Sequence, residues 1–175
     1  ENLSEVLEHQ NMFFVEGSIC DLGGVNALIA THRPNAIINL AAETHVDRSI
    51  ENPSDFIDTN IGGTNTLLLA SLDYWRSLNL PLGGSFRYLQ VSTDEVYGSI
   101  NGDPATERAP YRPNSPYAAS KAAGDHLVRS YNKTFGLPSL ITHGSNTYGP
   151  RQFPEKFIPL VILKALSNQP LPIYG

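Results

Sequence analysis

A tyrosine and a lysine four residues apart, Tyr117 and Lys121, form a pair whose types and spacing could do chemistry. In a helix, side chains at positions i and i+4 project from the same face, so the ammonium can lie beside the phenol. A free tyrosine ionises near pH ~10, and a neighbouring cation favours the phenolate, which would make Tyr117 a general base. The same spacing also arises by chance, as a surface aromatic near a solvated lysine.

Three consecutive polar residues, Thr93-Asp94-Glu95, follow the apolar segment 86–91 and precede this pair. In open α/β sheets, ligand sites gather at the carboxyl ends of strands. The Thr93 hydroxyl can donate and accept hydrogen bonds, and two carboxylates in different environments can act as an acid and a base. The competing interpretation is an acidic turn that ends a strand. The Tyr117–Lys121 pair one loop later favours a catalytic site.

The apolar pattern predicts the elements that must position these residues. Strands are predicted at 12–15, 36–40, 86–91 and 139–142. Helices are predicted at 2–9, from Asp21 as N-cap to Arg33, at 53–80, at 117–135 and at 154–166. Gly62-Gly63 is a local weakness in the longest helix. Strands that alternate with helices predict an α/β fold with a parallel sheet, and the apolar run at 36–40 predicts a strand covered on both faces.

Composition limits the classes of function. The chain has 175 residues, 41% of them hydrophobic and 17% charged, which suits one globular domain. A formal charge of -5 argues against binding to nucleic acid or to an anionic membrane, and no apolar run is long enough for a membrane span. The single cysteine, Cys20, cannot form an intramolecular disulfide, so a reducing cytoplasm is expected.

The polar segments of the chain resemble the extended short-chain dehydrogenase/reductase family, and within it the nucleotide-sugar 4,6-dehydratases. The matching strings lie at 41–50, 92–98, 115–121, 145–150 and 153–156. The triplet Thr93-Asp94-Glu95 discriminates within the family, because epimerases typically carry small or hydroxyl residues there, GDP-mannose dehydratases Thr-Ser-Glu, and inverting UDP-N-acetylglucosamine dehydratases Thr-Asp-Lys. The resemblance implies a Rossmann-type doubly wound sheet, with an NAD-binding core at 1–150 and the start of a nucleotide-sugar-binding lobe at 151–175.

The same resemblance implies NAD-dependent dehydration of dTDP-glucose to a 4-keto-6-deoxy sugar. Tyr117, with its pKa lowered by Lys121, would take the proton of the sugar 4-hydroxyl, and Thr93 would orient that oxygen. Glu95 would remove the C5 proton, and Asp94 would protonate the departing 6-hydroxyl. A homodimer is also implied, through the helix that ends near Leu80 and the helix that starts at Tyr117.

Binding residues follow from the resemblance position by position. The cofactor NAD would contact Ser18, Ile19, Leu40, Ala41, Ala42, Thr44, Thr59, Tyr117, Lys121 and Thr147. The nucleotide sugar would contact Thr44, Thr93, Asn146, Lys156 and Phe157. The chain departs from the family pattern at Ser18, usually Asp, at Thr147, usually Asn, and at His143-Gly144, usually Arg-Cys. His45 and Asp47 lack a third candidate ligand, so no metal site is expected.

The glycine-rich phosphate turn of this fold is not in the sequence, since Gly23-Gly24 lacks the three-glycine spacing. The alignment implied by the resemblance puts that turn before Glu1 and most of the sugar-binding lobe after Gly175, so a middle segment of a longer enzyme is expected. Two alternatives remain open at this point. One is another nucleotide-sugar epimerase or decarboxylase of the same family, and the other is a catalytically idle fragment that acts as a dimerisation or binding module.

Overall fold

Three parallel strands, β1 (Ala36–Asn39), β2 (Arg87–Thr93) and β3 (Ser139–Gly144), form one sheet in the order β1-β2-β3. The structure is a computed structural model that describes residues 3–78, 82–100 and 102–171. In the register of the sheet, Asn39 lies beside Gln90, and Thr93 lies beside Gly144. The α/β class, the parallel sheet and three of the predicted strands are therefore confirmed. β2 and β3 each run two residues further than predicted, which brings Thr93 into the sheet.

Two helices have the predicted ends to within one residue. α1 (Leu22–His32) begins after Asp21, whose carboxylate accepts a hydrogen bond from the Gly24 N–H at 3.1 Å. The long helix that starts at Pro116 and ends at Phe135 is capped by the Ser115 side chain and by Gly136 at φ 76°. A proline in the first turn and a left-handed glycine just past the last turn are favourable at these positions.

The predicted helix at 53–80 is not continuous. Its region contains α3 (Pro53–Phe56), a π-helical turn (Ile57–Gly63) and α4 (Thr64–Ser77), and a further helix, α2 (Val46–Glu51), precedes it. The π-helical turn ends at the glycine pair that the sequence marks as weak. The predicted helix end at Leu80 lies outside the described residues. A short helix, α5 (Leu82–Ser85), precedes β2 where no helix or strand was predicted. The helix Pro116–Phe135 is α6, and α7 (Phe157–Leu166) starts three residues later than predicted.

The predicted strand at 12–15 and helix at 2–9 are wrong. Residues 12–17 are irregular, Phe13 is 70% exposed, and residues 3–11 form hydrogen-bonded turns. A strand needs a neighbour to pair its backbone groups, and an apolar run does not reveal whether one is present. No strand pairs with 12–15 among the described residues.

The described chain divides into two compact units, one of residues 16–145 and one of residues 1–15 with 146–175. The boundary at residue 150 from the sequence stays a prediction. The first unit holds the sheet and α1 to α6. The second holds α7 and an ion pair between Arg151 and Glu5.

The core of the first unit lies where α1, α4 and α6 pack on one face of the sheet. Its fully buried side chains include Leu68 of α4, Phe86 just before β2, Tyr88 of β2 and Val128 of α6. Each such side chain contributes about 1.5–3 kcal/mol through burial. Ile38 of β1 is 57% exposed, so the expectation that this strand is covered on both faces is wrong for the described residues. None of the described helices is long and apolar enough to cross a bilayer.

Gly98 gives the fold a testable constraint. Its φ is +73°, and an added Cβ would lie 2.0 Å from the Arg112 carbonyl oxygen. Because both the backbone conformation and the space exclude a side chain, we expect Gly98→Ala to lower the free energy of unfolding by roughly 2 kcal/mol or more. Urea titration measures this. Gly17→Ala, where nothing lies within 4 Å, is the control and should change stability by less than about 0.5 kcal/mol. Equal unfolding midpoints for the two variants would contradict the account.

Candidate active site

The five predicted catalytic residues come together at the carboxyl end of β2. Thr93 ends the strand, and its hydroxyl accepts a hydrogen bond from the Glu95 N–H at 3.2 Å. Asp94 and Glu95 belong to a single 3-10 turn, Asp94–Tyr97. Tyr117 and Lys121, in the first two turns of α6, are 8% and 5% exposed. Thr93, Asp94 and Glu95 all act on the Tyr117 phenol, so one phenol, one hydroxyl and two carboxylates share the site.

The Tyr117 phenol has a raised pKa. Burial is the largest cause, the Glu95 carboxylate adds to it, a hydrogen bond with the Thr93 side chain opposes it, and the Asp94 carboxylate adds a smaller increase. Lys121 is not among the causes of this shift, so the expectation that it lowers the pKa of Tyr117 stays a prediction.

Lys121 is held against the strand. Its ammonium donates a hydrogen bond to the Val91 carbonyl at 2.7 Å. Burial lowers the pKa of Lys121, and the carboxylate of Asp125, one helical turn further along α6, opposes that shift. A buried cation in this position is both fixed in place and sensitive to the charges around it.

Three segments that carry predicted cofactor contacts lie next to one another. Ile19 packs on Gly63, where an added Cβ would lie 2.5 Å from the Ile19 Cδ1. The neighbouring Cys20 thiol donates to the Asp58 carbonyl at 3.5 Å, so residues 18–20 lie along the π-helical turn that contains Thr59. Ser18 accepts a hydrogen bond from the Cys20 N–H at 3.2 Å.

The segment after β1 supplies the other predicted contacts of that unit. Leu40, Ala41 and Thr44 are exposed, and Ala42 is half-buried. The Ala41 N–H donates to the side chain of Asn39 at 3.1 Å, which fixes the start of the segment. The small alanine side chains leave the backbone open to a ligand.

Asn60, which the sequence analysis did not select, ties this segment to the catalytic helix. It is 2% exposed, its Oδ1 accepts from the Glu43 N–H at 2.8 Å, and its Nδ2 donates to the Glu43 carbonyl at 3.0 Å. The same Nδ2 donates to the Ser120 hydroxyl at 2.9 Å, and Ser120 donates to the Tyr117 carbonyl at 2.7 Å. The sequence feature that could have indicated this role is a polar asparagine two residues before the Gly62-Gly63 pair in a helical segment.

The remaining predicted contacts lie in the second unit. Asn146 and Thr147 are exposed, and the Thr147 carbonyl accepts from the Gln152 side chain at 3.0 Å. Lys156 is half-buried and immediately precedes α7, and Phe157, 64% exposed, is the first residue of that helix. The roles of these four residues stay predictions. In the described ranges, no three His, Cys, Asp or Glu side chains form a group that could hold a metal ion.

Comparison with known proteins gives one consistent result. The family model described as GDP-mannose 4,6 dehydratase matches residues 1–175. A dTDP-glucose 4,6-dehydratase from Xanthomonas campestris pv. campestris is 57% identical over 163 residues, 93% of this chain and 46% of that protein. One from Neisseria gonorrhoeae is 50% identical over 177 residues, 100% of this chain and 51% of its own length.

Solved structures agree with these matches. The dTDP-glucose 4,6-dehydratase DesIV of Streptomyces venezuelae, solved with NAD bound, has a TM-score of 0.89 and 45% sequence identity over 99% of this chain and 51% of that one. The chain thus spans about half the length of the relatives it matches.

The electrostatics of the site predict how Tyr117 titrates. Because the Glu95 carboxylate raises the pKa of Tyr117, Glu95→Gln should lower it, so the phenol should ionise at lower pH in the variant. The Cζ chemical shifts of labelled tyrosines, followed by NMR across alkaline pH, measure this. Asp73→Asn is the matched control: Asp73 raises the pKa of Tyr131, so that variant should shift Tyr131 downwards and leave Tyr117 unchanged. An unchanged Tyr117 midpoint in Glu95→Gln would contradict the account.

Proposed function

This chain belongs to the GDP-mannose 4,6 dehydratase family, and from that premise we propose that it carries the catalytic part of an NAD-dependent enzyme that dehydrates dTDP-glucose. The observation that carries the proposal is the meeting of the Tyr117 phenol with the Thr93 hydroxyl and the carboxylates of Asp94 and Glu95 at the end of β2. Dehydration across C5 and C6 needs one base and one acid in addition to the group that takes the 4-hydroxyl proton, and this set supplies all three.

Tyr117 is the proposed base at the sugar 4-hydroxyl. Of the side chains acting on it, Thr93 favours the phenolate, and the same hydroxyl can orient the sugar oxygen. Lys121 holds a positive charge in the next turn of α6, in a buried position where charges act strongly. Because the pKa of Tyr117 is raised, the resting group is the phenol, and formation of the phenolate is part of the work of the site.

Glu95 and Asp94 are the proposed base and acid of the elimination. Glu95 removes the proton at C5, which the neighbouring 4-keto group acidifies, and Asp94 donates a proton to the 6-hydroxyl so that it leaves as water. Glu95 then returns its proton to C5. The proposal is supported by the action of both carboxylates on the Tyr117 phenol from one 3-10 turn.

The described residues fit NAD. Residues 18–20, the segment 40–44 and the π-helical turn meet through the packing of Ile19 on Gly63 and the hydrogen bonds of Asn60 to Glu43, and the alanines at 41 and 42 leave room for a ligand. Ser18, Ile19, Leu40, Thr44 and Thr59 are proposed to line the cofactor. The expected contact of Thr147, which lies in the second unit, stays a prediction. When bound, NAD accepts a hydride and returns it.

Thr44 and Thr93 of the first unit are proposed to contact the nucleotide sugar. The expected contacts of Asn146, Lys156 and Phe157, which lie in the second unit, stay predictions. Lys156 at the start of α7 suits an anionic pyrophosphate, since a lysine and the helix N–H groups both favour negative charge. A homodimer and a cytoplasmic location stay predictions. Leu69 of α4 and Phe135 of α6 are exposed apolar side chains on the two helices that the predicted dimer contact would use.

Incubation of the protein with dTDP-glucose and NAD tests the proposal, with the alkaline absorbance of a 4-keto-6-deoxy sugar as the readout. We expect product, and we expect Glu95→Gln and Tyr117→Phe each to lower its rate by at least about 100-fold, the usual contribution of general acid-base catalysis. The matched controls Glu107→Gln, an exposed loop carboxylate, and Tyr74→Phe, on α4, should keep the rate.

Three results would contradict the proposal. A folded protein that gives no product would favour the idle binding or dimerisation module. Turnover of a UDP-sugar without dehydration would favour an epimerase or decarboxylase of the same family. If both Glu95→Gln and Tyr117→Phe still form product at the unmodified rate, Glu95 and Tyr117 do not have the proposed roles as catalytic bases.

A further inference from the structure

The carboxylate of Asp125 lies buried behind the catalytic pair and has no step in the proposed reaction. Asp125 is 1% exposed and lies on α6 one helical turn after Lys121, so the two side chains share a face. Its Oδ2 accepts hydrogen bonds from the Ser92 hydroxyl at 2.7 Å and the Tyr111 hydroxyl at 3.1 Å. The His143 Nε2 lies 3.2 Å from the same oxygen. Three groups from three different elements therefore meet at one carboxylate oxygen.

The second oxygen of this carboxylate is less well satisfied. Oδ1 of Asp125 is buried and has no hydrogen-bond partner among the described residues. A buried carboxylate in this condition is costly unless a positive charge lies close by. An apolar or amide side chain could fill the same space with a smaller desolvation penalty. The negative charge of Asp125 therefore needs a separate explanation.

Two groups near Asp125 can carry a positive charge: His143 at 3.2 Å, when it is protonated, and Lys121, one turn away on the same face of α6. The Lys121 ammonium donates to the Val91 carbonyl, and the next residue of β2, Ser92, donates to Asp125. Two side chains one turn apart on α6 thus hold consecutive residues of β2, directly before Thr93. Burial lowers the pKa of Lys121, and the Asp125 carboxylate raises it again.

We propose that Asp125 is a positioning residue: its buried carboxylate binds Ser92 of β2 next to the Val91 carbonyl that holds Lys121, and its negative charge favours the ammonium one turn away. Ser92, Tyr111 and His143 hold that carboxylate in place, and His143 is itself bonded to the Tyr111 hydroxyl at 2.8 Å. The link from Asp125 to catalysis rests on the proposed function. The charge coupling between Asp125 and Lys121 does not depend on it.

Other titratable groups face this pair from the elements packed around it, and the test must separate their effects. They are Asp94, Glu95 and Tyr97 of the 3-10 turn, Tyr111 of the following loop, His143 of β3, and Tyr117 and His126 of α6. Tyr111 bridges two of them, since its hydroxyl bonds His143 and its ring lies 5.2 Å from that of His126.

NMR titration of Lys121 tests the proposal without any turnover, so its failure and the failure of the proposed function are distinguishable. The chain has four lysines, Lys121, Lys133, Lys156 and Lys164, and Lys121→Arg assigns the signal of interest. The side-chain nitrogen shift is followed between neutral and strongly alkaline pH. We expect Asp125→Asn, which keeps the shape and removes the charge, to lower the Lys121 midpoint below that of the unmodified chain.

Ser92→Ala is the matched control, because it removes one hydrogen bond from the same carboxylate and keeps the charge. We expect its Lys121 midpoint to equal that of the unmodified chain. The proposal is overturned if Asp125→Asn leaves the midpoint unchanged, or if Ser92→Ala lowers it as far as Asp125→Asn, since packing and not charge would then set it.

A second measurement covers the case in which Asp125→Asn does not fold. In the unmodified chain, the carboxyl carbon of Asp125 should show a step in its chemical shift at the pH where Lys121 loses its proton, because coupled groups sense each other reciprocally. Lys121→Met should lack that step. A flat Asp125 signal through the Lys121 transition would overturn the proposal.

Discussion

The contact between α6 and β2 is the constraint on which the rest of the site depends. Lys121 and Asp125 project from one face of the helix and hold Val91 and Ser92 through hydrogen bonds of 2.7 Å each. These bonds are made in a buried setting, where leaving any of the four groups unpaired costs free energy. The contact fixes the register of α6 along β2. It thereby also fixes the position of Tyr117 relative to the Thr93-Asp94-Glu95 segment.

A second set of hydrogen bonds ties the ligand-facing segment after β1 to the same helix. Asn60 reaches both the Glu43 backbone and the Ser120 hydroxyl from the π-helical turn. A π-helical turn widens the helix and changes which side chains face inward, and such turns are frequent at functional sites. The predicted cofactor segment and the catalytic helix are therefore parts of one hydrogen-bonded network, which explains why a buried asparagine stands where an apolar residue would pack more simply.

Several helix ends and strands could be predicted from the sequence because they depend on residues close together in the chain. Ser115, Pro116 and Gly136 specify the ends of α6, and the apolar segments before Thr93 and after Gly136 specify two strands, because caps and periodicity are properties of neighbouring residues. The segment at 12–15 failed because strand formation depends on a pairing partner distant in the chain. The raised pKa of Tyr117 could not be read from the sequence, because helical spacing reveals Lys121 but not the burial of the phenol or the action of Glu95 on it. Asn60 and Asp125 were missed because a polar residue inside a helix has the same pattern whether it faces solvent or a buried network.

The fate of the hydrogen at C4 of the sugar tests the central claim, that this site performs an internal oxidation, elimination and reduction. The substrate is dTDP-glucose carrying deuterium at C4, supplied with NAD, and the product is examined by NMR and mass spectrometry. The account predicts a 4-keto-6-deoxy sugar that carries the deuterium at C6. Deuterium that stays at C4, loss of the deuterium to water, or the lack of any product from the folded protein would contradict it.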